Sequence, residues 1–263
     1  MPPLKITVAT VTYNAGALIE RTLRSVAEQH YPHVEHLLVD GSSGDDTLLH
    51  IRRYQERNTV ARVPHEIELV SEPDDGLYDA MNKALAHATG NYILFLNAGD
   101  CLHSPDTLAA VAEAARREAK DGELPAVVYG DTHLVDEQGN FLRRRRLTPP
   151  EHLTWRSFTQ GMLVCHQAFV ARTDLARATP YDLRYRLSAD FDWCVRLMKQ
   201  AEALRLPMVN LHDVVADYLS EGMTTRHHEA SLKERFCIMA RHYGLLPTLL
   251  RHVWFVVRRF TKQ

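Results

Sequence analysis

Four times in the first hundred residues, an apolar, β-rich segment is followed by a polar turn and then by a stretch with helical spacing. The apolar segments cover residues 6–11, 36–39, 68–70 and 92–96. The helical stretches cover 17–29, 47–57, 78–88 and 105–120; in the first, Ile19, Leu23 and Val26 recur on one face. Gly90 closes the third, while Ser104 suits the N-cap of the fourth and Pro105 its first position. Strands separated by helices of this length predict a parallel sheet covered on both faces.

Beyond Lys120 the pattern changes. Residues 126–130 and 132–135, and then 141–147 past the turn Glu137-Gln138-Gly139-Asn140, predict strands and a hairpin. Residues 161–170 predict a further strand and 188–203 a helix, so the class is α/β with a mixed, mostly parallel sheet. That helix opens Ser188-Ala189-Asp190-Phe191-Asp192, which puts a capping serine and two carboxylates at its start. Acids there complement the helix dipole; they also offer a base.

The polar residues that follow the early strands carry the chemistry. Asn14, Asp40, Asp74 with Asp75, and Asn97 with Asp100 all fall at carboxyl ends of parallel strands, the edge where open α/β sheets bind ligands. The loop Gly41-Ser42-Ser43-Gly44-Asp45-Asp46-Thr47 lacks the lysine of a phosphate loop, and no GxGxxG follows the first strand. Acids around such a crevice suit a base edge, a ribose, or a divalent cation that itself holds phosphates. The pattern points to nucleotide or nucleotide-sugar chemistry.

Composition narrows the partners. The 263 residues carry 31 Lys+Arg against 33 Asp+Glu, a net charge of -2, which excludes a strongly basic nucleic-acid binder. Four scattered cysteines without CxxC spacing suit a reduced, cytoplasmic compartment, and the start Met1-Pro2-Pro3-Leu4-Lys5 lacks the apolar core of a secretory signal. From Arg235 onward there are six basic residues and no acid, leaving 25 basic against 33 acidic residues in the rest. Leu249, Val253, Val256, Val257 and Phe260 share a helical face beside Trp254. Such a basic amphipathic helix suits an anionic membrane surface, and equally packing on the parent domain or on a second subunit in a homo-oligomer. The expected organisation is a catalytic region over 1–225, with halves 1–120 and 121–225, and a helical tail over 226–263.

In order along the chain, Val11-Thr12-Tyr13-Asn14, Val39-Asp40-Gly41-Ser42-Ser43-Gly44-Asp45-Asp46-Thr47, Ser71-Glu72-Pro73-Asp74-Asp75-Gly76-Leu77-Tyr78-Asp79-Ala80-Met81-Asn82-Lys83, Phe95-Leu96-Asn97-Ala98-Gly99-Asp100, His166-Gln167 and Ala189-Asp190-Phe191-Asp192 resemble the family 2 glycosyltransferases of GT-A (Rossmann-like) fold, in particular the bacterial colanic-acid-type polysaccharide branch. The resemblance covers roughly residues 5 to 225. It implies that Thr12, Tyr13 and Asn14 border the nucleoside, that Asp40 accepts from a uracil-like base, and that Asp74 and Asn82 line the donor crevice. Asn97 and Asp100 stand where the family has its metal-binding DXD motif, and Asp190 matches the catalytic base. The first two acids of the usual Asp-x-Asp-Asp are Asn97 and Gly99 here, so Asp100 is the one carboxylate left to meet Mg²⁺ or Mn²⁺.

The activity so implied is inverting transfer of a sugar from a nucleotide-sugar, a UDP-sugar first, to a hydroxyl of a saccharide or lipid-linked acceptor. His166 and Asp192 are candidate acceptor contacts, with Asp192 the substitute base, and Arg196 a salt-bridge partner of the acidic helix start. The basic run 143–146 reads as a solvated hairpin that could meet anionic headgroups. His212, His227 and His228 have no HExxH-type spacing. Two other readings stay open: a non-catalytic nucleotide-sugar-binding protein, given the eroded DXD, and a nucleotidyltransferase, which would need a basic triphosphate loop. The expected location is cytoplasmic, peripheral on the inner face of the membrane.

Overall fold

A computed structural model describes residues 3–220 and 228–261, without the side chains of His228 and of 255–261. His227 therefore lies outside the described residues, as do the side chains of Val256, Val257 and Phe260. The first half alternates β1 (Ile6–Thr12), α1 (Gly16–Ala27), β2 (Val34–Asp40), α2 (Thr47–Asn58), β3 (Glu66–Ser71), α3 (Leu77–His87) and β4 (Tyr92–Phe95). All seven residues of both β1 and β2 are buried, as a parallel sheet covered on two faces requires. One cover is α1 with α2, whose Ile19, Leu23, Ile51 and Tyr54 pack on Leu38. The other includes α3, which contributes Met81, Ala84 and Leu85 to the main core.

The chain continues through β5 (Cys101–Leu102), α4 (Thr107–Arg117), β6 (Val127–Val135), β7 (Phe141–Arg144), β8 (Phe169–Arg172), α5 (Thr173–Ala178), α6 (Ala189–Ala203) and β9 (Met208–Leu219). It ends in α7 (His228–Tyr243) and α8 (Leu245–Thr261). The described strands form one sheet in the order β3-β2-β1-β4-β8-β6-β9-β5, with β7 paired to β6. Pairing is parallel from β3 to β4, antiparallel on both sides of β8, and parallel again between β6 and β9. The carboxyl ends of β4 and β9 therefore share one edge.

Three departures from the sequence pattern bear on the site. The expected strand over 161–170 is mostly irregular: it passes through a 3-10 turn at His166–Ala168 before β8 begins, so His166 lies on a turn rather than in a strand. The expected breaks near residue 131 are one bulged strand, in which Gly130 admits Asp213 O so closely that a Cβ would lie 2.5 Å from it. Helix α4 starts at Thr107, and Ser104 accepts from the Asp106 N–H instead of capping the first turn at its expected place. At the other end, α7 belongs to the core through Ile238 and Met239, and α8 meets it where His252 packs edge-on against Phe236.

Candidate active site

The loops after β1 and β2 are built by their own polar residues. Asp40 is fully buried; its Oδ1 accepts from the Ser43 hydroxyl at 2.5 Å, and its Oδ2 from the Ser43 N–H at 3.0 Å and the Ser71 hydroxyl at 2.8 Å. Asp40, expected to meet a base, is engaged by the 41–44 loop and by Ser71, and none of its surface is exposed. Asn14, at φ 48°, accepts from the Gly44 N–H and gives its own N–H to Ser43 Oγ, so it ties the two loops together. Asp45 accepts from Gly16 and Thr47, joining the starts of α1 and α2. These bonds to its charged form hold the Asp45 carboxyl below its usual range.

The loops leave a shelf between them. Tyr13 is 65% exposed, and a Cβ on Gly41 would lie 3.3 Å from its ring and 2.5 Å from Asp74 Oδ2. Only a glycine at 41 lets that carboxylate reach so far over the loop. Asp74 is fixed by the Gly76 N–H at 2.8 Å on its other oxygen. Beside the shelf, Thr12 Oγ1 is buried without a partner. An aromatic face next to a fixed carboxylate oxygen is chemically suited to a nucleobase with an N–H on its edge.

Deeper along the same edge lies Asp190, in the first turn of α6. Its Oδ2 is 3.2 Å from His166 Nδ1, and its Oδ1 accepts from the Tyr78 hydroxyl at 3.2 Å and the Phe191 N–H at 2.9 Å. Burial acts against its charge, but the His166 bond and charge, the nearby Arg235 and the Phe191 N–H outweigh it, so the carboxyl sits below its usual range. Burial, reinforced by the Asp190 charge, pushes the Tyr78 phenol far up, so Tyr78 stays a donor. His166 continues to Asn97, with 3.3 Å between His166 Nε2 and Asn97 Nδ2, while Asn97 Oδ1 is buried without a partner. The turn before α6 is clamped by Glu234 of α7, which accepts from the N–H groups of Arg186, Leu187 and Ser188.

Other expected site residues serve the fold. Asp192, an expected acceptor contact, is fully buried and bridges Arg196 at 2.6 Å and His242 at 2.7 Å, so it locks α6 to α7. Burial raises its carboxyl, but these two partners bring it below the usual range. Asn82 spends both ends of its amide on the Tyr181 backbone, holding a ring that stacks on Tyr78 and Trp193. Strand β7, with Arg143 and Arg144, is exposed, as a solvated hairpin should be; Arg145 instead donates to Met162 O.

Asp100 changes role as well. It is 3% exposed, its Oδ2 accepts from Gln167 Nε2 at 2.8 Å, and its Oδ1 from the Leu219 N–H at 2.9 Å. Burial, only partly offset by these bonds, pushes its pKa up to about 6. Asp100, the carboxylate expected to meet a metal, joins the end of β4 to the end of β9 through its two oxygens. A hard divalent cation seeks oxygen donors, and in this segment the unpartnered one is Asn97 Oδ1. That fits a cation which brings most of its own ligands, as a diphosphate complex does. Sequence reasoning gave no role to Tyr78, Gln167 or Arg235; the first two lie inside quoted motifs, but nothing in the sequence shows that they pair with Asp190 and Asp100.

With this geometry established, likeness to known proteins is decisive. The description "Glycosyl transferase family 2" matches residues 7–177. The chain belongs to glycosyltransferase family 2. The transferase is 34% identical over 212 residues to the PGL/p-HBAD biosynthesis glycosyltransferase of Mycobacterium bovis, a match covering 80% of this chain and 75% of the relative. Among solved structures, S. aureus TarS 1-349 in complex with UDP-GlcNAc matches with a TM-score of 0.68 at 18% identity, over 96% of this chain and 73% of that one. Glucosyl-3-phosphoglycerate synthase from Mycobacterium tuberculosis, in complex with Mn²⁺, UDP and glucosyl-3-phosphoglycerate, matches with a TM-score of 0.60 at 15% identity, over 91% and 80%. The transferase thus has the GT-A fold and is an enzyme of glycan biosynthesis, which sets the nucleotidyltransferase and non-catalytic readings aside.

Proposed function

We propose that the transferase moves a sugar from UDP to a hydroxyl of a saccharide or lipid-linked acceptor, with inversion, and that Asp190 takes the acceptor proton. The observation that carries this reading is the charged carboxylate of Asp190, held by Tyr78, His166 and the Phe191 N–H on the crevice edge that also bears the nucleoside shelf. A general base must be ionised, fixed and within reach of the hydroxyl, and Asp190 meets the first two conditions within the protein alone. Its proton comes from the attacking oxygen, and the bond to the departing diphosphate breaks on the opposite face of the anomeric carbon. His166 positions Asp190 rather than the acceptor. Mg²⁺ or Mn²⁺, bound through the diphosphate and Asn97 Oδ1, would balance the charge on the leaving group.

On the shelf, the base stacks on Tyr13 and its edge N–H meets Asp74 Oδ2, with Thr12 Oγ1 beside it. Uracil offers an N3–H there, whereas cytosine offers a lone pair that the carboxylate repels. In thermal-shift measurements with UDP, GDP, dTDP and CDP, each with and without Mn²⁺, UDP gives the largest shift and CDP the smallest. Gly41→Ala, which pushes Asp74 off the shelf, lowers UDP affinity roughly tenfold or more, or over 1.4 kcal/mol. An equal response to UDP and CDP, or unchanged affinity in that variant, contradicts the assignment.

For location, we propose that α8 lies on an anionic inner membrane surface, where a lipid-linked acceptor resides. Leu245, Leu246, Leu249, Leu250, Val253 and Trp254 are all at least 45% exposed, and the helix carries basic residues and no acid. Among the described residues no helix is long and apolar enough to cross a membrane. A chain ending at Gly244 loses binding to vesicles that contain phosphatidylglycerol but keeps its fold. If vesicle binding persists, or the truncation changes oligomeric state instead, the membrane role is wrong.

A further inference from the structure

On the part of the sheet formed last, β9 lies between β6 and β5. Asp217 of β9 stands opposite His133 of β6 on one side and Cys101 of β5 on the other; His103 follows Cys101 by two residues. The three side chains converge. His103 Nδ1 is 2.8 Å from Asp217 Oδ1, His133 Nδ1 is 4.0 Å from the same oxygen, and one donor atom from each residue lies within 4.8 Å of the others. The two imidazoles meet edge to face at 5.0 Å, and Phe141 flanks the His133 ring at 4.7 Å. Each side chain is 17 to 34% exposed, so the group is open to an ion from solvent but already ordered by its neighbours.

We propose that His103, His133 and Asp217 form a binding site for a borderline divalent cation of the Zn²⁺ type, separate from the catalytic crevice. Successive residues of a strand face opposite ways, and Asp217 meets His103 and His133 rather than the Asp190 group. Two imidazoles and a carboxylate are a zinc-type donor set, whereas Mg²⁺ and Ca²⁺ prefer oxygen alone. A tetrahedral ion with bonds near 2.0–2.1 Å sets its ligands about 3.3 Å apart. His103 and Asp217, now 2.8 Å apart, need to part slightly, and His133, 4.0 Å from Asp217, to approach. Asp217 brings a carboxylate to both imidazoles, so the donor set carries a negative charge to meet the ion. Arg21 is turned to the carbonyls of Asp136 and Glu137 and to Cys101 Sγ.

The ion would staple three strands at a point two residues from Leu219, whose N–H holds Asp100. Its role is thus structural, and it is independent of donor binding. The test titrates untagged, chelator-treated full-length protein with Co²⁺ and follows the visible absorption of the bound ion, then displaces it with Zn²⁺. One equivalent binds without nucleotide, Mg²⁺ does not compete, and the melting temperature rises. In His103→Ala and His133→Ala the Co²⁺ affinity falls at least tenfold, while the response to UDP and the metal-free melting temperature stay as in the parent. Absence of a one-equivalent Co²⁺ signal, or equal affinity in parent and variants, overturns the proposal. If the alanine variants melt early, His133→Gln replaces them.

Discussion

Changing Asp190 to Asn is expected to lower sugar transfer by about 10²–10⁴-fold, the range contributed by a positioned base, without loss of fold or of UDP affinity. Asn has the size of Asp and can still accept from Tyr78 and the Phe191 N–H, so the packing around α6 is kept. What disappears is the charge and the ability to take a proton. The pH profile separates this role from a structural one. His166 helps to hold the Asp190 carboxyl low, so removing it in His166→Asn raises the pKa of the base. Activity that rises as Asp190 ionises then rises at higher pH: the acid limb moves up. A variant that loses activity at every pH with the limb unmoved would show that His166 does not act through Asp190. Both measurements use release of UDP from a UDP-sugar, with UDP binding measured separately on the same samples.

The second large effect falls on stability. Asp100→Ala leaves the Gln167 amide and the Leu219 N–H without their acceptor in a buried place, and is expected to cost about 2–4 kcal/mol in denaturant unfolding. The folded pKa near 6 lies above the ordinary 3.8, so the folded state holds this proton more tightly than the unfolded chain. The contribution of that proton to stability is complete below the unfolded pKa and is lost as pH rises through about 6. Asp100→Asn, which cannot titrate, removes this part of the pH dependence. A metal ligand exposed in the crevice would behave otherwise: its removal would spare folding and weaken only metal-dependent nucleotide binding.

These two acids also show what a sequence can and cannot disclose about such a site. The βα alternation was legible because apolar strands buried on both faces and one-sided helices leave strong periodic signals, as in β1, β2 and α1. The edge that carries the chemistry was legible for the same reason, since it follows from strand direction. The division of labour among its carboxylates was not. Asp40, Asp74, Asp100 and Asp190 all sit at strand or helix ends, where a short acid can tie a loop or face a ligand. Only burial and partners tell their settings apart: Asp40 and Asp100 bond to neighbouring segments, Asp74 to the Gly76 N–H, and Asp190 to His166 and Tyr78. Strand β9 escaped notice because its pattern is broken, with His212 at φ 57° and bulges against β6. With β9 unseen, neither the Leu219 contact to Asp100 nor the His103, His133 and Asp217 cluster could be anticipated.

The central claim is a single displacement in which Asp190 deprotonates the incoming hydroxyl while UDP leaves from the other face. The most direct test is the configuration of the new anomeric centre, read by proton NMR at first turnover with an α-linked UDP-sugar and either water or a sugar alcohol as acceptor. The expected result is a β product in the parent, formed about 10²–10⁴-fold more slowly in Asp190→Asn. An α product, or a β product formed equally well without the Asp190 carboxylate, would contradict it.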